Sequence, residues 1–373
     1  MSFIGQFGYT VIGFVVDITV VVFFHELGHF LVGRWCGVKV DAFSIGFGTE
    51  LAAWTDRKGT RWRIGALPLG GYVKFHGDLN AASMGSDDAV RLMSPAERAT
   101  TFPAQPVAKR AAIVAAGPVA NFVLALVIAT GMIYAQGAPS TDARIGSIVP
   151  GKPAAAAGFE VGDVVTAIDG RPVASFDAMR EIVSHAPGVP LRFSVERDGR
   201  DIQLVAAPAA APTAEPGKAA AAPTGLLGVG VAMTSVSLSH AVKGDGAECW
   251  KLVSMTGHYV TGVVRGREKA DQLSGPIGIA VVAGQAAQMG VMSSLYLIVV
   301  LSVSIGLMNL LPIPLLDGGH LLYYAFEAVR GRPLSLRVQE AGFKVGLAFV
   351  MLLMAFAFKN DIVNLGSQML HLG

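Results

Sequence analysis

Four apolar runs constrain this chain more than any other feature. They extend from about Phe7 to Val32, Val107 to Tyr134, Met292 to Leu311 and Phe343 to Phe358. A membrane-crossing helix needs roughly 20 mainly apolar residues at about 1.5 Å rise, which the first three meet and the fourth approaches. Composition agrees: 52% of the 373 residues are hydrophobic and only 15% charged, where soluble domains carry about a quarter charged. The expected class is a polytopic α-helical membrane protein with four transmembrane helices, its first partner a lipid bilayer.

A net charge of +2 with no basic stripe interleaved with aromatics excludes a nucleic-acid partner. The first run lacks a basic leader and a small-residue cleavage site, so it is expected to stay as a span. Basic residues cluster between the first two runs (Arg34, Lys39, Arg57, Lys58, Arg61, Arg63, Lys74, Lys109, Arg110) and between the last two (Arg330, Arg332, Arg337, Lys344). The positive-inside rule then places those two loops in the cytoplasm and both termini outside. Cys36 and Cys249 fall on opposite sides in this topology, so no disulfide is expected, and neither has the spacing of a cysteine zinc site.

Residues 137–235 read as a soluble insertion, with alternating strands and turns at Gly, Asp and Pro. Asp198-Gly199 marks a tight hairpin turn. The Ala/Pro-rich tract at 206–224 cannot build a core and reads as a linker. Residues 236–290 have helical apolar spacing and are expected to lie along the membrane surface, with "SGPIGIA" (274–280) breaking the helix. Membrane parts at 1–136 and 291–373 flank these segments.

The chemistry sits inside the first span, in "FFHELGHFLVG" (23–33). Ionisable residues at bilayer depth are costly and rarely idle. His25 and His29 are one helical turn apart, so their imidazoles share a face and can hold one Zn²⁺. Glu26 stands beside them, placed to take a proton from water. A catalytic zinc wants a third protein ligand and one open position. Val32 and Trp35 occupy the places where a metzincin would continue with glycine and histidine. Glu50 and Asp317 compete for the third place. Glu50 lies in a Gly-broken, strand-like run, whereas Asp317 follows the third span at the same end as the histidines, so depth favours Asp317. Pro312 and Pro314 must interrupt the helix before it, and irregular backbone at that depth needs protein or a wet cavity around it. Asn309, just before the break, is a candidate donor to an oxyanion, and His320 a candidate for orienting a ligand.

HELGH together with Asn309-x-x-Pro312-x-x-x-x-Asp317-Gly318-Gly319 resembles the site-2 family of intramembrane zinc metalloproteases. "GPVANF" (117–122), "SGPIGIA" and "PLGGYVKF" (68–75) match further family segments, so the resemblance covers nearly the whole chain. Within 137–235 the order Pro153-Ala154, Ala157-Gly158, Gly162-Asp163, Ile168-Asp169-Gly170 resembles a PDZ domain of the bacterial protease type. Its position makes the regulator-of-sigma-E protease branch the nearest likeness. That branch often carries two PDZ domains in tandem, and one is legible here.

The resemblance implies a zinc endopeptidase with "RWRIGALPLGGYVKF" as a membrane-associated β-hairpin, whose Gly70, Gly71 and Tyr72 would pair with an unwound substrate. Leu227, Gly228 and Val229 would line a groove for peptide C-termini. The implied substrates are single-span membrane proteins, such as a pre-trimmed anti-sigma factor or a remnant signal peptide, in a bacterial inner membrane. Two rival classes remain. A divalent-metal transporter would be expected to show an internal repeat, which is missing. A PDZ scaffold with a structural metal would be expected to show a closed set of four ligands rather than three.

Overall fold

The computed structural model describes residues 3–78, 92–211, 224–235, 237, 254, 262 and 275–371. They divide into two compact units, one of residues 1–130 with 242–373 and one of residues 131–241.

The first unit opens with α1 (Phe3–Trp35), followed by β1 (Val40–Thr55) and β2 (Arg61–Phe75), which pair antiparallel. A short helix, α2 (Pro95–Arg98), is capped by Ser94 and precedes α3 (Val107–Gln136). The hairpin differs from expectation. "RWRIGALPLGGYVKF" is one strand, and its partner is the Gly-broken run that contains Glu50. Glycines allow this. Gly46 and Gly48 both have φ +82, and Gly70 has φ +144, so both strands bend and residues 42–45 find partners in 61–64 as well as 71–74. A Cβ at Gly46 would come within 2.9 Å of the Gly65 carbonyl oxygen. Phe30, Phe43, Phe75 and Phe102 are buried together and fasten the sheet to the second half of α1. Phe43 meets Phe30 edge-on at 5.4 Å, and Phe75 stacks on Phe102 at 5.1 Å. Such ring pairs add about 0.5–1.5 kcal/mol beyond the area they bury.

The second unit contains β3 (Ala138–Pro139), β4 (Ile145–Ile148), α4 (Pro153–Ala156), β5 (Val164–Ile168), β6 (Arg171–Pro172), α5 (Phe176–Ser184), β7 (Leu191–Arg197) and β8 (Arg200–Ala206). After them come β9 (Ala209–Ala211), β10 (Thr224–Leu226), β11 (Val229–Val231) and β12 (Met233–Thr234). One sheet has the order β6-β5-β7-β8, and β11 pairs antiparallel with β4. Leu191, Phe193 and Val195 alternate inward along β7 and pack with Ile145, Ile168 and Met179. Asp198 (φ 49) and Gly199 (φ 74) make the expected turn between β7 and β8, both in the left-handed region that a two-residue hairpin loop requires.

The chain returns to the first unit with α6 (Pro276–Met289), α7 (Val291–Asn309), α8 (Asp317–Arg330) and α9 (Leu336–His371). Among the described residues, four helices are long and apolar enough to cross a membrane: Phe7–Trp35, Val107–Gln136, Val291–Asn309 and Leu336–Val363. The last exceeds its expected bounds because hydrogen bonding, not hydropathy, ends a helix, and Arg337, Glu340 and Lys344 continue it. Most of the segment expected along the membrane surface, and Cys249 with it, lies outside the described residues. Its described part, 276–289, is a helix that packs on α1 through small residues, Gly13 against Ala283 and Gly284 against Thr10. Asp361 of α9 accepts from the Gly275 and Ile277 amides at 2.9 and 3.0 Å, capping α6 where its dipole favours a negative charge. Gly28 brings α1 onto α3. A Cβ there would lie 2.7 Å from that of Ala120.

The turn of the β1–β2 pair is held to the end of α1 by a charged clamp. Arg34 Nη2 donates to Asp56 Oδ2 at 2.6 Å and to Thr60 Oγ1 at 2.9 Å. Trp62 Nε1 donates to Asp56 at 3.2 Å, and the Lys58 and Thr60 amides donate at 2.9 and 3.0 Å. Burial pushes the Asp56 carboxyl up, but these donors outweigh it and hold its pKa at about 2. A depressed pKa contributes stability above the unfolded value near 3.8, lost as pH falls through about 2. Limited proteolysis of purified protein should therefore show the 55–61 turn resistant at pH 6 in the wild type and cut faster in Asp56→Asn. Equal cutting rates would show that the clamp does not hold the turn.

Candidate metal centre

His25 and His29 project from one face of α1 into a buried space, each with 9% of its surface exposed. Their Nε2 atoms are 3.3 Å apart. Asp317, the first residue of α8, brings Oδ2 to 3.2 Å from His25 Nε2 and 3.5 Å from His29 Nε2. That oxygen is buried and forms a hydrogen bond with neither. Among the described residues this is the one group of three or more His, Cys, Asp or Glu side chains able to share a metal ion. Zinc bonds of about 2.0–2.1 Å in tetrahedral directions put neighbouring ligand atoms roughly 3.3–3.4 Å apart. The observed separations match.

Asp317 gets there because the backbone breaks. α7 ends at Asn309, and Pro312 and Pro314 bar its continuation. Leu315 then takes φ 100, a strained value for a branched residue. The loop folds back over the start of α8, which only glycine allows: a Cβ on Gly318 or Gly319 would overlap the carbonyls of Leu310, Leu311 and Ile313. Asp-Gly-Gly is thus one device, a carboxylate followed by two residues that leave the loop room to turn. The helix N-terminus also favours the charge.

Helix α3 closes the third side, and its residues were not singled out one by one from the sequence. His29 Nδ1 lies 2.9 Å from the Ile113 carbonyl and Asn121 Nδ2 3.3 Å from His25 Nδ1. Gly117 faces the space between the imidazoles. A Cβ there would overlap His29 Nε2 and come within 2.9 Å of His25 Nε2, filling the place an ion would take. The sequence signal was the run Gly117-Pro118-Val119-Ala120-Asn121, a glycine and an amide one turn apart within an apolar helix.

Glu26 lies beside the histidines, with the Val73 amide near its carboxylate. Gly71 makes room for it, since a Cβ there would stand 3.0 Å from Glu26 Cγ. A cavity of about 220 Å³ joins His25, Glu26, His29, Gly71, Asn309 and Asp317. Tyr72 also lines it and is held by Arg63 at 2.9 Å, while Gly70 packs against Phe47. Asn309 Nδ2 donates to its own helix at Ile305, 3.0 Å away. His320 lines the cavity too. Glu50 is elsewhere, ion-paired to Arg61 at 2.6 Å, whose hydrogen bond holds its carboxyl below the usual range.

In the second unit, Leu227 is 3% exposed and belongs to the core, so its side chain does not line a groove as the sequence suggested. Gly228 has φ +84, and Val229 pairs with Ile148.

The model of peptidase family M50 matches residues 13–353. A protein of Agrobacterium fabrum named as a zinc metalloprotease is 43% identical over 362 residues, covering 95% of this chain and 96% of its own. One from Rhizobium meliloti, similarly named, is 43% identical over 361 residues, covering 95% and 96%. Metalloprotease MmpA of Caulobacter vibrioides is 40% identical over 370 residues, covering 92% and 93%. The chain belongs to peptidase family M50, the site-2 protease family, and is a metalloprotease.

The void at Gly117 gives a direct test. Gly117→Ala should keep its helical circular dichroism in detergent yet bind well below one metal ion per chain by elemental analysis. One ion per chain in that variant would mean the ion sits elsewhere.

Proposed function

We propose that His25, His29 and Asp317 hold the zinc ion of this metalloprotease, and that Glu26 is the general base of peptide hydrolysis within the membrane. The observation that carries this reading is the convergence of three ligand atoms, 3.2–3.5 Å apart, on a space kept free of side chains. A zinc ion held by these three residues would supply acidified water and polarisation of the peptide carbonyl. Glu26 takes the proton of the attacking water and passes it to the departing amide nitrogen as the C–N bond breaks. Asn309 lines the same cavity, and rotating its amide away from Ile305 would offer a donor to the oxyanion.

The cavity also defines what can be cut. A cavity of about 220 Å³ is small beside a helix of roughly 10–12 Å diameter, which favours entry of a substrate span as extended chain. The β2 stretch of Gly70, Gly71 and Tyr72 borders that cavity, and strand addition there would hold such a segment beside Glu26. Substrates of this form are single-span membrane proteins, an already trimmed anti-sigma factor or a remnant signal peptide among them. The setting is the bacterial inner membrane, with regulated intramembrane proteolysis as the role. The sheet and helix of residues 131–241 support a PDZ-type module held outside, as the termini are. Its pairing of β11 with β4 leaves peptide capture to backbone bonding along Val229–Val231, with Leu227 anchoring the strand in the core.

One assay tests both levels. Purified wild type should cut a reporter span, faster once its ectodomain is removed. Glu26→Gln should keep one zinc per chain and lose about 10²-fold or more of the rate, the ordinary worth of a positioned base. His25→Ala should lose zinc and cleavage together. Normal turnover by Glu26→Gln would refute the base assignment, and equal rates on trimmed and untrimmed reporters would refute the preference for already trimmed substrates.

A further inference from the structure

We infer that Asn121 is a positioning residue for the metal centre: its side-chain carbonyl accepts the Nδ1 proton of His25 and so leaves Nε2 bare toward the ion. The inference rests on the reading that His25 is a ligand.

A neutral imidazole has one donor and one acceptor nitrogen. For His25, Nε2 is the atom that faces Asp317 Oδ2 at 3.2 Å and His29 Nε2 at 3.3 Å. To bind a cation it must present a lone pair, which puts the proton on Nδ1. Nδ1 then needs an acceptor. Its neighbour is the amide of Asn121, a residue with no exposed surface on α3. With the amide nitrogen turned to the ring, 3.3 Å away, two donors would face each other. The same orientation leaves Oδ1 buried without a partner among the described residues. Nitrogen and oxygen of an amide have nearly the same shape, so their assignment follows from the hydrogen-bond network. Turning the group by half a revolution puts Oδ1 on the Nδ1 proton and removes the clash of donors.

His29 shows the same logic with a different acceptor, its Nδ1 lying 2.9 Å from the Ile113 carbonyl. Ile113, Gly117 and Asn121 follow one another at four-residue steps along α3, hence along one face. The helix thus presents an acceptor for one ring, an opening for the ion and an acceptor for the other ring. α3 sets the tautomer of both histidines before any ion arrives. Acceptors of this kind typically change metal affinity about 10–100-fold when removed.

The test is zinc affinity, measured by competition with a chromogenic chelator on detergent-purified full-length protein. Asn121→Leu, close in size and without an acceptor, should bind zinc about 10–100-fold more weakly. Asn121→Asp, which can only accept, should bind at least as tightly as wild type. A role in packing alone would not separate these variants in this order. Wild-type affinity in Asn121→Leu, or equal weakening in both, would overturn the inference. Should Asn121→Leu lose its helical circular dichroism, Asn121→Asp alone decides, with tight binding in favour and weak binding against. His25→Ala in parallel guards the underlying reading: if it binds zinc as wild type does, His25 is no ligand, and that failure is distinct from the one above.

Discussion

Three lone pairs that converge in a buried cavity repel one another, and the proposed reading of this centre follows from relieving that repulsion with a cation. Oδ2 of Asp317 is buried without a hydrogen bond while standing 3.2 and 3.5 Å from two imidazole nitrogens. Leaving a carboxylate so placed would cost several kcal/mol after relaxation. A divalent ion turns the same geometry into a favourable one, because attraction to each ligand is little screened at that depth. On this reading ion and fold are coupled, because α1 and α8 meet through the ligands.

Bringing three helices to one ion needs close backbone approach, and small residues supply it. Gly28 lets α1 settle on α3 beside Ala116 and Ala120, Gly117 keeps the ion's place empty, and Gly318 with Gly319 lets the loop after α7 fold over the start of α8. The hairpin sheet completes the wall from the remaining side, fastened to α1 by Phe30, Phe43 and Phe75 and reaching Glu26 through Gly71 and the Val73 amide. On the proposed reading, hydrolysis takes place where a metal, a base and a strand edge share one small cavity.

Much of this was legible in the sequence because its chemistry is local. HELGH puts the two proposed ligands and the proposed base on one helical turn, and Pro312, Pro314 and Asp317-Gly318-Gly319 announce a helix break followed by a carboxylate. The contributions of Gly117 and Asn121 were not legible. A glycine and an amide in an apolar helix acquire meaning only once that helix lies against α1. The sheet differs from what the resemblance implied: residues 61–75 were expected as a hairpin by themselves, whereas bends at glycines send one long strand against another. Leu227 was assigned to a groove from its place in a motif, whereas it lies between β10 and β11 with its side chain in the core.

The central claim is that the ion is bound by His25, His29 and Asp317. X-ray absorption at the zinc edge of an Asp317→Cys variant reads it most directly, because sulfur scatters at about 2.3 Å where nitrogen and oxygen ligands lie near 2.0–2.1 Å. The wild type should show nitrogen and oxygen neighbours only, with the signature of two imidazoles, and the variant should gain one sulfur. Zinc bound to the variant with no sulfur in its shell would contradict the account.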